Sequence, residues 1–484
     1  MTLRVCAVIS FMTVLSGAAR GSTGLASTYD IHFARFSPPR LSVTVTIPIA
    51  GDELRMSTTR PGDIPALDSG GWPAFVQNLE VLDKNGRPIA TTSAGAKGWR
   101  LATPSTGRLT LRYDVDYSVL AERRWPAQRE AAFADDTHLV VVGRSLFITT
   151  GAVGTSRVTF HLPRPWLAIT PWTRKSATTF LARDPAELVD NLIVLSRSRP
   201  DVVAAADFHV SITAFGHWKP VRDEVRRVFR AVIPQLVRLM AFKERKNYVV
   251  VLLPADERGG ESFRGSFALT VDTPPSAANS PEWGNTIAHE IFHYWNGWRL
   301  RGSDYAASQW FQEGFTEYAA NISMLASGLV DEEAFRQKLS QHIANYADLK
   351  TTLAAPGTRK GPALYSGGAL VAFMWDVMIR HASGGKRTIA DFYRALWRSS
   401  DEGRLAYDWP LIQSALDATA KQDWASFHQR YIAGNERLPL ETILPLAGLR
   451  LRNSEDGSPH VIVDSSASPA ARSLWKTMMA HVVR

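Results

Sequence analysis

From about residue 28 to 213, apolar and polar residues alternate in short runs. Leu41-Ser-Val-Thr-Val-Thr-Ile47 and Leu109-Thr-Leu-Arg-Tyr-Asp-Val115 both follow the two-residue period of a half-buried strand. His138–Val142, Arg157–Leu162 and Ala206–Thr213 add shorter strand candidates. Turn formers such as Ser69-Gly-Gly71 and Lys84-Asn-Gly-Arg-Pro88 separate the runs. Strands at this spacing predict a β-sandwich-like domain. The period lengthens near residue 221. Val225, Val228, Phe229, Val232, Leu236 and Leu239 recur at helical spacing within Val221–Met240. Asn247–Leu253 reads as a buried strand and Ser266–Val271 as another. From Pro281 to about Gly434 the pattern is mainly helical. Gly328, Gly384-Gly385 and Gly434 are its stop signals, and Asp331, Thr388, Asp408 and Asp423 its candidate N-caps.

Composition narrows the class. The chain has 484 residues, 45% of them hydrophobic and 21% charged, enough for a globular protein of about three domains. The net charge of +9 is spread along the chain, with no arginine-rich arm, helix-turn-helix signature or zinc finger. A solvated basic surface is therefore expected, and no nucleic-acid partner. Met1–Arg4 is basic, Val5–Leu15 apolar and Ser16-Gly-Ala-Ala19 small, the layout of a secretory signal peptide over residues 1–22. The mature protein is thus expected to be secreted or periplasmic. No later stretch approaches ~18 uninterrupted apolar residues, so no membrane span is expected in it. The single cysteine, Cys6, lies in the leader, which excludes a thiol nucleophile, a cysteine zinc site and a disulfide from the mature chain. The pattern leaves the oligomeric state open.

The chemistry concentrates in Ser280-Pro-Glu-Trp-Gly-Asn-Thr-Ile-Ala-His289-Glu290-Ile-Phe-His293-Tyr-Trp-Asn-Gly297. Ser280 can cap a helix here, Pro281 suits its first turn, and Gly297 can end it. On that helix His289 and His293 lie one turn apart on one face, where both imidazoles can reach a single Zn²⁺. Glu290 sits beside them, able to take a proton from the attacking water. A chain of this composition contains HExxH by chance in roughly one case in a hundred, so the third ligand matters. A metzincin would have Gly and His where Asn296 and Arg299 stand, which rejects that class. Twenty residues beyond His293 lies Trp310-Phe-Gln-Glu313-Gly-Phe-Thr-Glu317, a helical segment with two glutamates one turn apart. Glu313 can be the ligand, and Glu317 can accept the outer N–H of a ligating histidine. Asp304 is a rival ligand, and two solvated surface glutamates are the bland alternative.

These blocks resemble the glycyl aminopeptidase family of glutamate zincins, relatives of the alanyl aminopeptidases. Further matching blocks are Leu364-Tyr365-Ser-Gly-Gly368 through Asp376, Ser383-Gly-Gly, Ala395-Leu-Trp397, and Arg430-Tyr-Ile-Ala-Gly434 through Leu451. The resemblance implies an α+β multidomain chain: an N-terminal β-sandwich-like domain (28–213), a thermolysin-like zinc catalytic domain (216–330) and a C-terminal helical region (331–445). It implies one Zn²⁺ held by His289, His293 and Glu313, with Glu290 as general base. Tyr365 matches the tyrosine that donates to the developing oxyanion, a role its phenol can fill; otherwise it is a core tyrosine at a helix start.

The sequence also departs from the family. Ser366-Gly367 replace the acidic residue and lysine that often follow the tyrosine. The substrate-binding loop reads Gly259-Gly260-Glu261-Ser262-Phe263-Arg264 instead of Gly-Gly-Leu-Glu-His-Arg, with its carboxylate one position early. Gly260, Glu261 and Arg264 are the substrate-binding candidates, Glu261 as partner of a substrate's α-amine on a loop between two strands; a solvent-facing Glu261 is the alternative. Many members continue into a PDZ domain, of which Ser468–Arg472, within a short tail at 446–484, is the candidate remnant. The expected function is a secreted zinc metallopeptidase acting on a peptide or protein, as an aminopeptidase releasing N-terminal residues. A zinc endopeptidase is the alternative. So is a non-catalytic protein binding peptide or carbohydrate through its β domain and 15 tryptophans.

Overall fold

The computed structural model describes residues 25–35, 38–57, 70–118, 132–254, 259–271, 273–355 and 361–480. The expected signal peptide (1–22) and Cys6 lie outside them. The N-terminal region forms two sheets, one of eight strands and one of four. In Arg40–Arg55 the alternation is realised as written: Leu41, Val43, Val45, Ile47 and Ile49 are buried and their neighbours less so. The inner faces of the two sheets share one apolar core, which makes the region a sandwich.

A third sheet follows, whose strands are β1 (Asp201–Ala205), β2 (Phe208–Ala214), β3 (Lys246–Pro254), β4 (Gly259–Phe263) and β5 (Ser266–Val271), in spatial order β1-β2-β3-β5-β4. β2, β3 and β5 run parallel, while β1 and β4 are antiparallel edge strands. This corrects the expected boundary. The strand foreseen at Ala206–Thr213 pairs with β3, so the sheet of the second domain begins at Asp201 and the sandwich does not extend to 213. The run Asn247–Leu253 is almost wholly apolar because β3 is buried on both faces. Val250 and Leu252 join the core under the helices, whereas Val249, Val251 and Leu253 join the core of the sandwich. The sheet is a middle layer between sandwich and helices.

The longer helices are α1 (Arg222–Met240), α2 (Ser280–Phe292), α3 (Gln309–Ala326), α4 (Glu332–Tyr346), α5 (Pro362–Ala382), α6 (Ile389–Ser399), α7 (Trp409–Thr419) and α8 (Pro469–Ala480). Asp331, Thr388 and Asp408 cap α4, α6 and α7 by accepting backbone N–H bonds, and Asp423 caps the short helix that starts at Trp424. By length and mean composition α5 could cross a membrane, but Ser366, Asp376 and Arg380 interrupt its apolar run. It is a core helix, buried along nearly its whole length. Residues 446–484 are not a loose tail among the described residues. The hairpin Leu449–Asn453/Pro459–Val463 and α8 pack on the helical region: Val461 N–H donates to Ser340 Oγ (2.9 Å) and Trp475 Nε1 donates to Glu332 (2.9 Å).

Candidate active site

α2 brings His289, Glu290 and His293 into the interior. The helix starts one residue earlier than a Ser280 cap implies, with Asn279 at the cap position and Ser280 as its first residue. It also ends at Phe292, well short of Gly297. His293 keeps a helical backbone, and its N–H bonds the His289 carbonyl (3.2 Å), so the one-turn spacing of the two imidazoles survives. α3 then places Glu313 opposite them. His289 is 3% exposed, and Glu290, His293 and Glu313 are fully buried.

Three atoms converge. His289 Nε2 lies 3.1 Å from His293 Nε2, and Glu313 Oε2 lies 3.5 and 3.4 Å from the two nitrogens. Ligands ~2.05 Å from a tetrahedral ion stand about 3.3 Å apart, so the triangle fits Zn²⁺. The outer ring nitrogens are committed elsewhere. His289 Nδ1–H donates to Glu317 Oε2 (3.0 Å) and His293 Nδ1–H to the Asn296 carbonyl (2.9 Å), which turns both Nε2 lone pairs toward the common point. Burial would lower the His289 pKa, yet the Glu313 and Glu317 carboxylates push it up to about 10, so a metal ion binding there displaces a proton. Among the described residues this is the one group of three potential ligands. Asp304, the rival, is outside it; its carboxylate accepts the Ala307 N–H (3.1 Å).

Two positioning features were not foreseen. Asn296, within the quoted motif, donates its amide to the carbonyls of Phe311 (3.2 Å) and Gln312 (3.1 Å) and to Thr316 Oγ1 (3.2 Å). It thereby ties the turn behind His293 to the helix that carries Glu313. A polar residue three places after the second histidine, among aromatic neighbours, was the only signal for it. Glu317 is also bound by Lys338 Nζ (3.0 Å) and Asn285 Nδ2 (3.2 Å). Burial alone would raise its pKa, but Lys338 and then His289 hold it well below the usual carboxylate range.

Tyr365 reaches the site from the first turn of α5. Its ring lies nearly parallel to that of His289 (17°, centroids 5.9 Å apart). Burial and the Glu313 and Glu290 carboxylates push its pKa well above that of an ordinary phenol, so it stays protonated and can donate.

The expected substrate loop is a correction. Gly259–Phe263 is not a loop but the edge strand β4. A Cβ on Gly260 would lie 2.3 Å from Glu290 Oε1, so this glycine makes room for the carboxylate. Ser262 faces the same way, its hydroxyl donating to the Glu290 carbonyl (3.4 Å). Glu261 faces the opposite side with its cross-strand partner Ala268, whose side chain belongs to the sandwich core. A one-residue shift along a strand exchanges faces, so the early carboxylate points away from the metal site. Arg264 lies beyond the strand, in the turn before β5. Its guanidinium is 5.9 Å over the Trp298 ring and its N–H bonds the Asp190 carbonyl.

A family model described as the Peptidase M61 N-terminal domain matches residues 28–197, and one described as M61 glycyl aminopeptidase matches residues 283–360. Together they span just over half of the chain. The chain belongs to the M61 glycyl aminopeptidase family. None of the curated proteins matches it. Among solved structures, the M61 chain resembles an aminopeptidase N family protein from Idiomarina loihiensis, with a TM-score of 0.70 at 19% identity over 88% of this chain and 79% of that one. It also resembles an M1 zinc metallopeptidase from Deinococcus radiodurans, with a TM-score of 0.53 at 18% identity over 86% of this chain and 94% of that one. A mutant of that metallopeptidase, bound to a Tyr-Ser-Ala substrate, matches at 16% identity and the same TM-score, over 87% of this chain and 96% of that one. These likenesses show a shared α+β fold, with a β-rich N-terminal domain followed by a helical region. The M61 chain is a zinc-dependent peptidase.

In an M61 chain with this geometry, replacing His289 and His293 together by Ala is expected to abolish zinc binding. Glu317→Ala, which frees the outer nitrogen of His289, should weaken it ~10–100-fold. Metal analysis of the purified variants checks both, and full occupancy in the double variant would remove these residues from the site.

Proposed function

We propose that the protein is an aminopeptidase that releases N-terminal residues from peptides, with one Zn²⁺ held by His289, His293 and Glu313. The observation that carries this reading is the convergence of the three ligand atoms within 3.1–3.5 Å of one another, with Glu290 and Tyr365 beside them. A Zn²⁺ bound there supplies a Lewis acid that polarises the scissile carbonyl and acidifies water. Glu290 takes the proton of the attacking water and passes it to the leaving amine. Tyr365, kept protonated, donates to the carbonyl oxygen as charge develops on it. His289, Glu290, His293 and Glu313 are buried, and the low-polarity surroundings strengthen each of these interactions. The leader-like residues 1–22 support action in the periplasm or outside the cell, which sequencing the N-terminus of the exported protein would test.

A non-catalytic binding protein is less well supported, because Trp72, Trp218, Trp295, Trp375 and most other tryptophans are buried and present no binding surface. One observation favours a second reading, the endopeptidase: the active-site face of β4 carries Gly260 and Ser262, with Glu261 on the other face. A short peptide and its N-acetylated form decide between them. The aminopeptidase cuts only the free-amine peptide, and a chelator stops it. Equal cleavage of the acetylated peptide would establish the endopeptidase instead. In either case Glu261→Ala should leave the ratio of the two rates unchanged, because its side chain faces the sandwich.

A further inference from the structure

We infer that the cavity beside His289 and Tyr365 is a specificity pocket for a large apolar side chain, of the leucine or phenylalanine class, on a substrate residue flanking the scissile bond. The inference rests on the peptidase reading above and names the substrate class it leaves open.

The cavity holds about 320 Å³ and is enclosed by one stripe from each of four helices, α2, α3, α4 and α5. It reaches the metal site through His289 and Tyr365, so a side chain adjacent to the reacting carbonyl can enter it. Most of its accessible wall is apolar, supplied by Met324 from α3, Val330 from the connection to α4, and Ala334 and Phe335 from α4, while Glu282, Asn285, Gln341 and Asn345 also border it. The polar groups at its inner end are already satisfied. Glu317 is matched by His289 and Lys338. His342 Nε2 accepts from the Asn321 amide and its Nδ1–H donates to Ser366 Oγ, each at 3.0 Å, so the ring is held neutral. Ser366 is one of the residues that depart from the family pattern. Glu317 and Lys338 are thus matched to each other at the inner end, and burying a charged substrate side chain beside them would cost its hydration. Glycine would leave the space to about ten waters, whereas a leucine or phenylalanine side chain would displace them from apolar walls.

The test uses the zinc-loaded protein and two peptide series, each varying one residue flanking the scissile bond among Gly, Ala, Leu, Phe, Lys and Asp. In one series kcat/KM for Leu or Phe should exceed that for Gly by about 10- to 100-fold, with Lys and Asp no better than Gly. Ala334→Trp, which fills the cavity, should shrink that preference to about threefold or less with zinc content unchanged. Calorimetry gives a readout without turnover: Glu290→Gln should bind the Leu peptide more tightly than the Gly peptide. Hydrolysis with no size preference in either series, or a preference that survives filling in a folded Ala334→Trp protein, overturns the pocket and leaves the peptidase reading standing. Absence of hydrolysis throughout overturns the peptidase reading, and the pocket with it.

Discussion

Glu290→Gln is expected to retain zinc and fold while lowering turnover by at least ~10². The substitution is nearly isosteric, and the site leaves the residue little freedom. Glu290 is fully buried on α2, directly after His289, with Gly260 of β4 so close that a Cβ there would lie 2.3 Å from its carboxylate. The ligand triangle formed by His289, His293 and Glu313 does not depend on its charge. What the amide loses is the ability to accept the proton of the attacking water and return it to the leaving amine. Measured kcat, zinc content and melting temperature separate these effects. A near-normal kcat in a zinc-replete variant would remove Glu290 from the chemistry.

Gly368→Ala should destabilise the protein by about 3 kcal/mol and impair activity as well. On an exposed helix the same change would stabilise by about 1 kcal/mol, so the sign itself is diagnostic. Here α3 and α5 cross with their glycines in contact. A Cβ on Gly368 would lie 1.9 Å from the Trp310 carbonyl oxygen and 2.9 Å from the Cα of Gly314. Both neighbours are backbone, which cannot swing aside as a side chain could, so the helices must part. Gly314 follows Glu313, and Tyr365 stands three residues before Gly368. Parting the helices therefore draws the phenol away from the metal ligand. Thermal unfolding and kcat should both fall, and a variant as stable and active as the parent would show that the crossing is not tight.

The features legible in the sequence were local ones. The alternation in Arg40–Arg55 became a strand with one buried face, and Asp331, Thr388, Asp408 and Asp423 all cap helices, because each depends on bonds within a few residues. The HExxH spacing put two imidazoles on one helical face, and Glu313 reached them from the next helix. Other expectations failed where the outcome depended on distant partners. Ala206–Thr213 looked like one more sandwich strand, since a strand's own pattern does not name the sheet it joins. Glu261 looked like a substrate ligand because the carboxylate was present, but the register of β4 against β5 turned it toward the sandwich. Residues 446–484 looked like a tail because their buried side chains, Trp475 and Met478, find their core on helices far away in the chain.

The sequence by itself determined the elements and the donor set: where the period is two and where it is 3.6, which side chains can hold zinc, and which glutamate follows a ligand closely enough to act as base. Those depend on backbone periodicity and side-chain chemistry, which are properties of neighbours along the chain. Tertiary structure decided how the donors are aimed, through Glu317 and Asn296 on the outer nitrogens of His289 and His293. It also decided how close α3 and α5 approach, at Gly314 and Gly368, and which face of β4 meets the site. Four helices, contributing stripes from residue 281 to residue 366, enclose the cavity beside His289 and Tyr365. Its walls are contacts between residues far apart in the chain, set by packing density and excluded volume, and no single segment's pattern encodes them.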